Sequence, residues 1–151
     1  MRLTFRHTLI GLVCWCAFPA NALADPLPSS SHHLSQVEAI IAAVNARDAD
    51  AYVAVFAADA QVHMFRGERR IDGRDALREN RARHFARFPE VRNELVHLVA
   101  IDDRVVMHDR VKLTSQQRSW TDIVEVFTFE GGKIVRVDVL QPSGLFTQAQ
   151  E

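Results

Sequence analysis

Cysteine is nearly absent from this chain of 151 residues, and both examples, Cys14 and Cys16, lie close to its start. Such a distribution gives the rest of the chain neither a disulfide framework nor a cysteine metal site. The formal net charge at pH 7 is only -1, so no overall charge attracts nucleic acid or anionic lipid. Hydrophobic residues make up 48% of the chain and charged residues 25%, which is typical of one ordinary globular domain.

The short motifs of several enzyme classes are also missing. The sequence has no Gly-rich phosphate loop, no G-x-S-x-G nucleophile elbow and no dinucleotide fingerprint. The histidines beyond residue 33 are far apart and lack the H-x-x-x-H or H-x-H spacing of metal ligands. We therefore expect no cofactor, no metal site and no nucleic-acid partner.

The first residues have the pattern of an export signal. Arg2 and Arg6 precede a mainly apolar run at residues 8–18, and residues 22–24 read Ala-Leu-Ala, a small-x-small cleavage pattern. The apolar run is shorter than the roughly 20 residues needed to cross a bilayer. We predict a signal peptide at residues 1–24 that is cut after Ala24. The mature protein is then periplasmic or secreted, has no cysteine and is not held in a membrane.

The first half of the remaining chain predicts helices. Residues 25–33 are rich in Pro and Ser and indicate a flexible lead-in. Ser35 and Glu38 form a capping box ahead of apolar residues that recur at helical spacing. A short helix is predicted after Asp48, with Tyr52, Val55 and Phe56 on one side. A strand at residues 61–65 and a third helix, which starts at Gly73 and ends near Phe88, are predicted to follow.

From residue 91 onward the apolar period becomes two, which predicts strands. The segments 91–101 and 104–113 are joined at Asp102-Asp103, and the segments 120–130 and 133–141 are joined through Gly131-Gly132, a strong hairpin signal. Helices followed by an antiparallel meander indicate the α+β class. Residues 142–151 are predicted to form a C-terminal tail.

Five short motifs occur in a fixed order along these elements: Val44-Asn45-Ala46-Arg47-Asp48, Val55-Phe56-Ala57-Ala58-Asp59-Ala60, Asp72-Gly73-Arg74-Asp75-Ala76-Leu77, Val124-Glu125-Val126-Phe127-Thr128-Phe129 and Gly132-Lys133-Ile134. With these motifs, the order of elements over residues 34–141 resembles the nuclear transport factor 2-like fold, and in particular its SnoaL-like branch. The resemblance implies a cone-shaped, curved antiparallel sheet packed with three N-terminal helices around an apolar pocket.

The resemblance does not settle the function, because the fold serves steroid isomerases, polyketide cyclases, epoxide hydrolases and non-catalytic modules. In the ketosteroid isomerase pattern, Ile40 stands where a Tyr donor is needed and Met64 where the Asp base is needed; Glu125 alone keeps an acid. In the limonene epoxide hydrolase pattern, Arg110 matches the Arg, but Lys112 replaces the Asp. Both catalytic patterns are therefore incomplete.

Glu125 is the first candidate for a role in catalysis. On a regular strand it shares a face with Ile123 and Phe127, and this face is expected to be buried. Burial raises the pKa of a carboxyl group and suits it to act as a general acid. The alternative is that Glu125 faces outward or pairs with an arginine.

Asp109 is a second carboxylate in an apolar row. It follows Val105 and Met107 at alternate positions, whereas His108 and Arg110 lie on the polar row. A bulge in a curved sheet can exchange the two faces, so either row can line the pocket. The alternative to catalysis is a partly buried Asp bonded to a neighbouring Arg.

The third predicted helix adds two polar side chains to an apolar stripe. Leu77, Arg81, His84, Phe85 and Phe88 share one face at 100° per residue. Arg81 and His84 either lie at the pocket mouth and contact an anionic or carbonyl group, or have structural roles. In the structural alternative, Arg81 snorkels to the surface and His84 is a core residue whose hydrogen bonds are satisfied.

Two hypotheses follow for the function. In the first, the domain binds a small apolar or carbonyl-containing molecule and carries out isomerase, cyclase or hydratase chemistry. In the second, it is a non-catalytic module that uses its outer sheet face to form a homodimer or to bind a partner. The candidate catalytic residues are Glu125, His84 and Asp109, and the candidate binding residues are Arg81, Met64, Phe88, Arg110 and Phe127.

Overall fold

The computed structural model describes residues 28–64 and 68–142. The predicted signal peptide and the tail from residue 143 onward lie outside the described residues. Three helices and six strands are found in the described part of the chain. In order they are α1 (Pro28–Ala46), α2 (Ala49–Val53), β1 (Phe56–Met64), β2 (Arg69–Asp72), α3 (Arg74–Arg87), β3 (Arg92–Ile101), β4 (Arg104–Lys112), β5 (Thr121–Glu130) and β6 (Lys133–Leu140).

The strands form one mixed sheet in the order β2-β1-β6-β5-β4-β3. The predicted meander is confirmed, since β3 to β6 pair antiparallel in sequence order. The pairing of β1 with β6 is parallel, and it joins the meander to the two strands from the N-terminal half of the chain. Helices followed by a curved sheet that does not close give the α+β architecture that the sequence predicted.

Helix α1 begins at Pro28, so the predicted capping residue Ser35 lies inside the helix rather than at its start. The segment 28–33 is helical rather than part of a flexible lead-in, because Pro is well suited to a first helical turn, where its missing N–H is not needed. The His33 ring also stacks on the Phe129 ring, with centroids 4.0 Å apart. This contact ties the early turns of the helix to the sheet.

The region between α2 and α3 departs from the sequence prediction. Phe56 begins β1 instead of continuing the second helix, and its fully buried ring stacks on Tyr52 at 5.5 Å. Strand β2 was not predicted, since its four residues, Arg-Arg-Ile-Asp, show no alternation of apolar side chains. Gly73 then caps α3 with a φ of 90°, a conformation that glycine adopts without strain.

Both predicted hairpin turns are present. Gly131 and Gly132 have φ values of 55° and 76°, the two positive angles that a type I′ turn requires. Asp102 also has a positive φ, of 52°, at the turn between β3 and β4. Asp tolerates this conformation better than most side chains.

The core lies between the helices and the inner face of the sheet. Val105, Met107, Asp109 and Val111 alternate as buried residues along β4, so the inner row is the one that contains Asp109. None of the helices described is long and apolar enough to cross a membrane. The largest fully buried side chains of the core are Phe56, Phe127, Ile40, Leu77, Met107 and Ile134.

Helix α1 is joined to the edge of the sheet by a pair of reciprocal hydrogen bonds. Asn45 donates from Nδ2 to the carbonyl of Asn93 at 2.9 Å, and the backbone N–H of Asn93 donates to Asn45 Oδ1, also at 2.9 Å. We call this pair the Asn45–Asn93 clasp. It fixes the C-terminal end of α1 against the start of β3.

Replacing Asn45 by Ala is expected to lower the free energy of unfolding by about 1–3 kcal/mol, because the partly buried Asn93 amide loses its acceptor. Urea unfolding measured by circular dichroism gives this value. Glu38→Ala, at an exposed site on the same helix, is the control and is expected to change stability much less. Equal effects of the two substitutions would contradict a structural role for the clasp.

Candidate active site

Asp109 is the most deeply buried ionisable group of the inner sheet face. Its residue surface is 1% exposed. Asn93 donates a hydrogen bond from Nδ2 to Asp109 Oδ2, while Oδ1 has no protein partner. Burial raises the pKa of Asp109 to about 6, and the bond from Asn93 opposes part of that rise. The carboxyl is therefore mostly ionised at neutral pH, close to the point where it accepts a proton.

Glu125 lies beside Asp109 on the neighbouring strand. Met107 is directly opposite Glu125 in the register of β4 and β5, so Asp109, two residues further along, is its diagonal neighbour on the same face. Burial and then the charge of Asp109 raise the pKa of Glu125 to about 7, and the positive charge of Arg81 acts in the opposite direction. Two carboxyl groups that titrate near neutrality thus share one face.

Arg81 and Tyr52 approach these carboxyls from the helices. The guanidinium carbon of Arg81, on α3, is 4.6 Å from the centroid of the Tyr52 ring, on α2. Arg81 Nε is buried and has no protein partner. Tyr52 is 3% exposed, and burial raises its pKa to about 12, so its hydroxyl stays protonated and able to donate.

These four side chains line one cavity, and α1 forms its apolar wall. The cavity has a volume of about 30 Å³, enough for little more than one water molecule. Sites that hold drug-sized ligands are typically about 300–1,000 Å³, so an organic ligand requires the wall to move. The full lining is Ile40, Ile41, Val44, Tyr52, Arg81, Asn93, Met107, Asp109 and Glu125.

Three polar atoms without a protein partner belong to residues of this lining. They are Arg81 Nε, Asn93 Oδ1 and Asp109 Oδ1. A buried polar atom without a hydrogen bond destabilises a fold, and such atoms are uncommon. One donor and two acceptors around one cavity fit a small polar group rather than a wholly apolar one.

His84, Met64 and Phe88 were predicted as site residues but do not line the cavity. The His84 ring packs against Phe88, with centroids 5.0 Å apart. Burial, followed by the charges of Arg81 and Arg87, lowers the pKa of His84 to about 4, so the ring is neutral at pH 7. Met64 ends β1, and its partly buried side chain packs against the core.

Arg110 and Phe127 are also placed away from the cavity. Arg110 is on the opposite face of β4 from Asp109, where its Nη2 lies 2.6 Å from Glu94 Oε2. Phe127 shares the row of Glu125 but is fully buried in the core. The structure therefore brings together Glu125, Asp109 and Arg81 from the predicted set.

Two residues of the site were not predicted as functional. Tyr52 is the only tyrosine of the chain and was placed on the apolar side of its helix, which is a signal for a buried phenol. Asn93 lies among polar residues at the start of a strand and has no comparable signal. No group of three or more His, Cys, Asp or Glu side chains in residues 28–64 and 68–142 has the arrangement of a metal site.

The sequence matches the family model of the SnoaL-like domain over residues 37–137. A comparison with curated protein sequences gives no match. Among solved structures, an uncharacterised cystatin-fold protein from Novosphingobium aromaticivorans is 32% identical with a TM-score of 0.65. The alignment covers 72% of this chain and 97% of that one.

Two further structures share the fold at lower identity. A proposed SnoaL-like polyketide cyclase from Jannaschia sp. CCS1 has a TM-score of 0.69 at 14% identity, over 83% of this chain and 94% of that chain. A proposed polyketide cyclase from Sinorhizobium meliloti has a TM-score of 0.59 at 22% identity, over 70% of this chain and 94% of the other. The family match confirms the predicted resemblance: this chain belongs to the SnoaL-like family and has the nuclear transport factor 2-like fold.

Proposed function

We propose that this protein binds a small carbonyl-containing organic molecule in its central cavity and catalyses proton transfer on it, as in a cyclisation or isomerisation. The observation that carries the proposal is the diagonal pair of Asp109 and Glu125 beside the Arg81 guanidinium and the Tyr52 hydroxyl. Two carboxyls whose pKa values are raised to about 6 and about 7 form an acid and a base at the same pH.

Each group has a distinct role in this proposal. Asp109, the more acidic of the two, removes a proton from the carbon next to the carbonyl, and the C–H electron pair moves into the new enolate. The Arg81 cation and the hydrogen bond donated by the Tyr52 hydroxyl stabilise the negative charge on the enolate oxygen. Glu125 in its protonated form returns a proton to the product. The proton that Asp109 has taken up then passes to the Glu125 carboxylate beside it, which restores both groups for the next turnover.

The family match and the residues that line the cavity support a small-molecule substrate, for which the wall formed by α1 must move. Two of the solved structures with this fold are proposed polyketide cyclases, and closing a ring by carbon–carbon bond formation needs an enolate. The aliphatic wall from α1 provides the apolar contacts for such a substrate. Export through the signal peptide predicted at residues 1–24 is part of the same proposal.

Replacing Glu125 by Gln is expected to stabilise the protein at high pH. The raised pKa means that the folded state holds the Glu125 proton more tightly, so wild-type stability falls as pH rises from about 4.5 to about 7. The variant does not undergo this decrease. Between pH 4 and pH 8, its free energy of unfolding relative to wild type is expected to rise by roughly 1–3 kcal/mol.

Urea unfolding of the two proteins across that pH range measures the difference. The opposing contribution of His84, whose pKa is lowered, is common to both proteins and cancels. Glu130→Gln, at an exposed site on the same strand, is the control. A pH-independent difference between the Glu125 variant and wild type would show that this carboxyl is not desolvated.

The proposed chemistry predicts exchange of substrate hydrogen with solvent. A thermal-shift screen of carbonyl-containing aromatics first finds a ligand, and NMR in D₂O then follows deuterium entry at the carbon next to its carbonyl. Asp109→Asn is expected to slow this exchange by about 100-fold or more while binding persists. Asp122→Asn removes an exposed carboxylate of β5 that pairs with His108 and serves as the control.

Two outcomes would count against this assignment. If no compound of the class binds, the small-molecule proposal loses its basis. If a ligand binds and exchange proceeds equally in Asp109→Asn and wild type, the cavity is a binding site without the proposed base.

A second function, formation of a homodimer through the outer sheet face, is supported by a row of apolar side chains. Val99, Val106 and Val126 lie opposite one another across β3, β4 and β5. Val99 is 51% exposed and Ile101, on the same edge strand, is 56% exposed. Exposed apolar residues that form a continuous patch are typical of association surfaces.

A dimer formed through this face is expected to dissociate when Val99 is replaced by Lys, because the charge would have to be buried. Light scattering at micromolar concentration measures the mass of the wild type and the variant. Thr128→Lys, on the same face but outside the valine row, is the control. A wild-type protein that is already monomeric would overturn the homodimer proposal.

A further inference from the structure

A second cleft, larger than the central cavity, opens at the end of the sheet where α1 ends, β3 begins and β4 ends. Its volume is about 390 Å³, within the range of sites that hold small organic molecules. The residues that line it are Arg47, Pro89, Glu90, Arg92, Lys112, Thr114, Ser115 and Trp120. None of them lines the central cavity.

Positive charge dominates this cleft. Arg47, Arg92 and Lys112 contribute three cations, and none has a carboxylate within ion-pair distance in the described part of the chain. The one carboxylate in the lining belongs to Glu90. Its Oε2 accepts hydrogen bonds from the backbone N–H of Ser115 at 2.9 Å and from Ser115 Oγ at 2.8 Å.

Two of the cations are held together by the sheet. Arg92 and Lys112 lie directly opposite each other in the register of β3 and β4. Like charges at such a cross-strand pair destabilise a sheet. Lys112 Nζ is 4.9 Å from the Trp120 ring centroid, so the ring keeps its ammonium group near the cleft.

The third cation, Arg47, has a backbone conformation that favours glycine. Arg47 has a φ of 58° directly after α1, where its N–H donates to the Val44 carbonyl and the Asp48 N–H to the Ala43 carbonyl, both at 3.0 Å. This is the helix-ending motif in which glycine is usual, because other side chains are strained there. The Asn45–Asn93 clasp then fixes the Arg47 backbone beside the start of β3.

We infer that this cleft is a binding site for a small organic anion with at least two negative charges, such as a polycarboxylate or a phosphate monoester. Two arrangements that weaken the fold, the like-charge pair and the strained arginine, meet at the same cleft. A divalent anion bound between the three cations reduces the repulsion within the like-charge pair. It also provides a function for an arginine at the strained position. Ser115 and Thr114 add hydroxyl groups at the same opening.

Arg47→Gly separates binding from folding, because glycine suits this backbone better than arginine does. The variant is expected to melt at the same or a higher temperature, yet to bind citrate or glycerol phosphate at least about ten-fold more weakly. Lys112→Gln removes one member of the like-charge pair and is expected to behave in the same way. Calorimetry with each anion, against NaCl at equal ionic strength, measures the affinities.

Arg83→Gln, at an exposed arginine of α3 outside the cleft, is the matched control and is expected to leave the affinity unchanged. The indole N–H resonance of Trp120 is expected to shift as either anion is added. The inference is overturned if neither anion binds more tightly than chloride. It is also overturned if Arg83→Gln weakens binding as much as Arg47→Gly and Lys112→Gln do, which would indicate general charge attraction.

Discussion

The burial of a carboxyl group on the inner face of the sheet governs the arrangement around it. An ionised carboxylate loses its hydration when it is buried and must find donors or positive charge within the protein. Asp109 receives one donor from Asn93 and the field of Arg81. Because Asp109 keeps its charge at neutral pH, the neighbouring Glu125 is harder to ionise. The higher pKa of Glu125 therefore reflects its own burial first and the buried charge of Asp109 second.

The partners of Asp109 are held by contacts remote from it. Asn93 is positioned by its backbone bonds to Asn45 of α1. Arg81 is positioned by α3, whose Leu77 and Phe85 are buried in the core. The hydrogen bond and the positive charge that act on Asp109 are in place only when both helices have docked on the sheet. The site is thus a product of tertiary packing, although each of its residues sits in a regular helix or strand.

The sequence predicted those parts of the site that depend on local periodicity. Alternation along β4 and β5 was enough to place Asp109 and Glu125 in apolar rows, and the helical period placed Arg81 towards the sheet. The same stripe also grouped His84 with the pocket lining, whereas the structure packs its ring against Phe88, because a helical face is wider than the cavity. Asn93 and strand β2 depend on pairings across the fold, which leave no periodic signal in the sequence.

The small volume of the cavity makes α1 the decisive element for ligand entry. Its Ile40, Ile41 and Val44 form the apolar wall, so a larger cavity requires these side chains or the helix itself to move. The clasp that opposes a movement of the helix is worth about 1–3 kcal/mol. If opening the cavity breaks the clasp, this cost weakens the apparent affinity of a ligand by about 5- to 150-fold. Since Arg47 directly follows α1, a movement of the helix itself also shifts one cation of the second cleft.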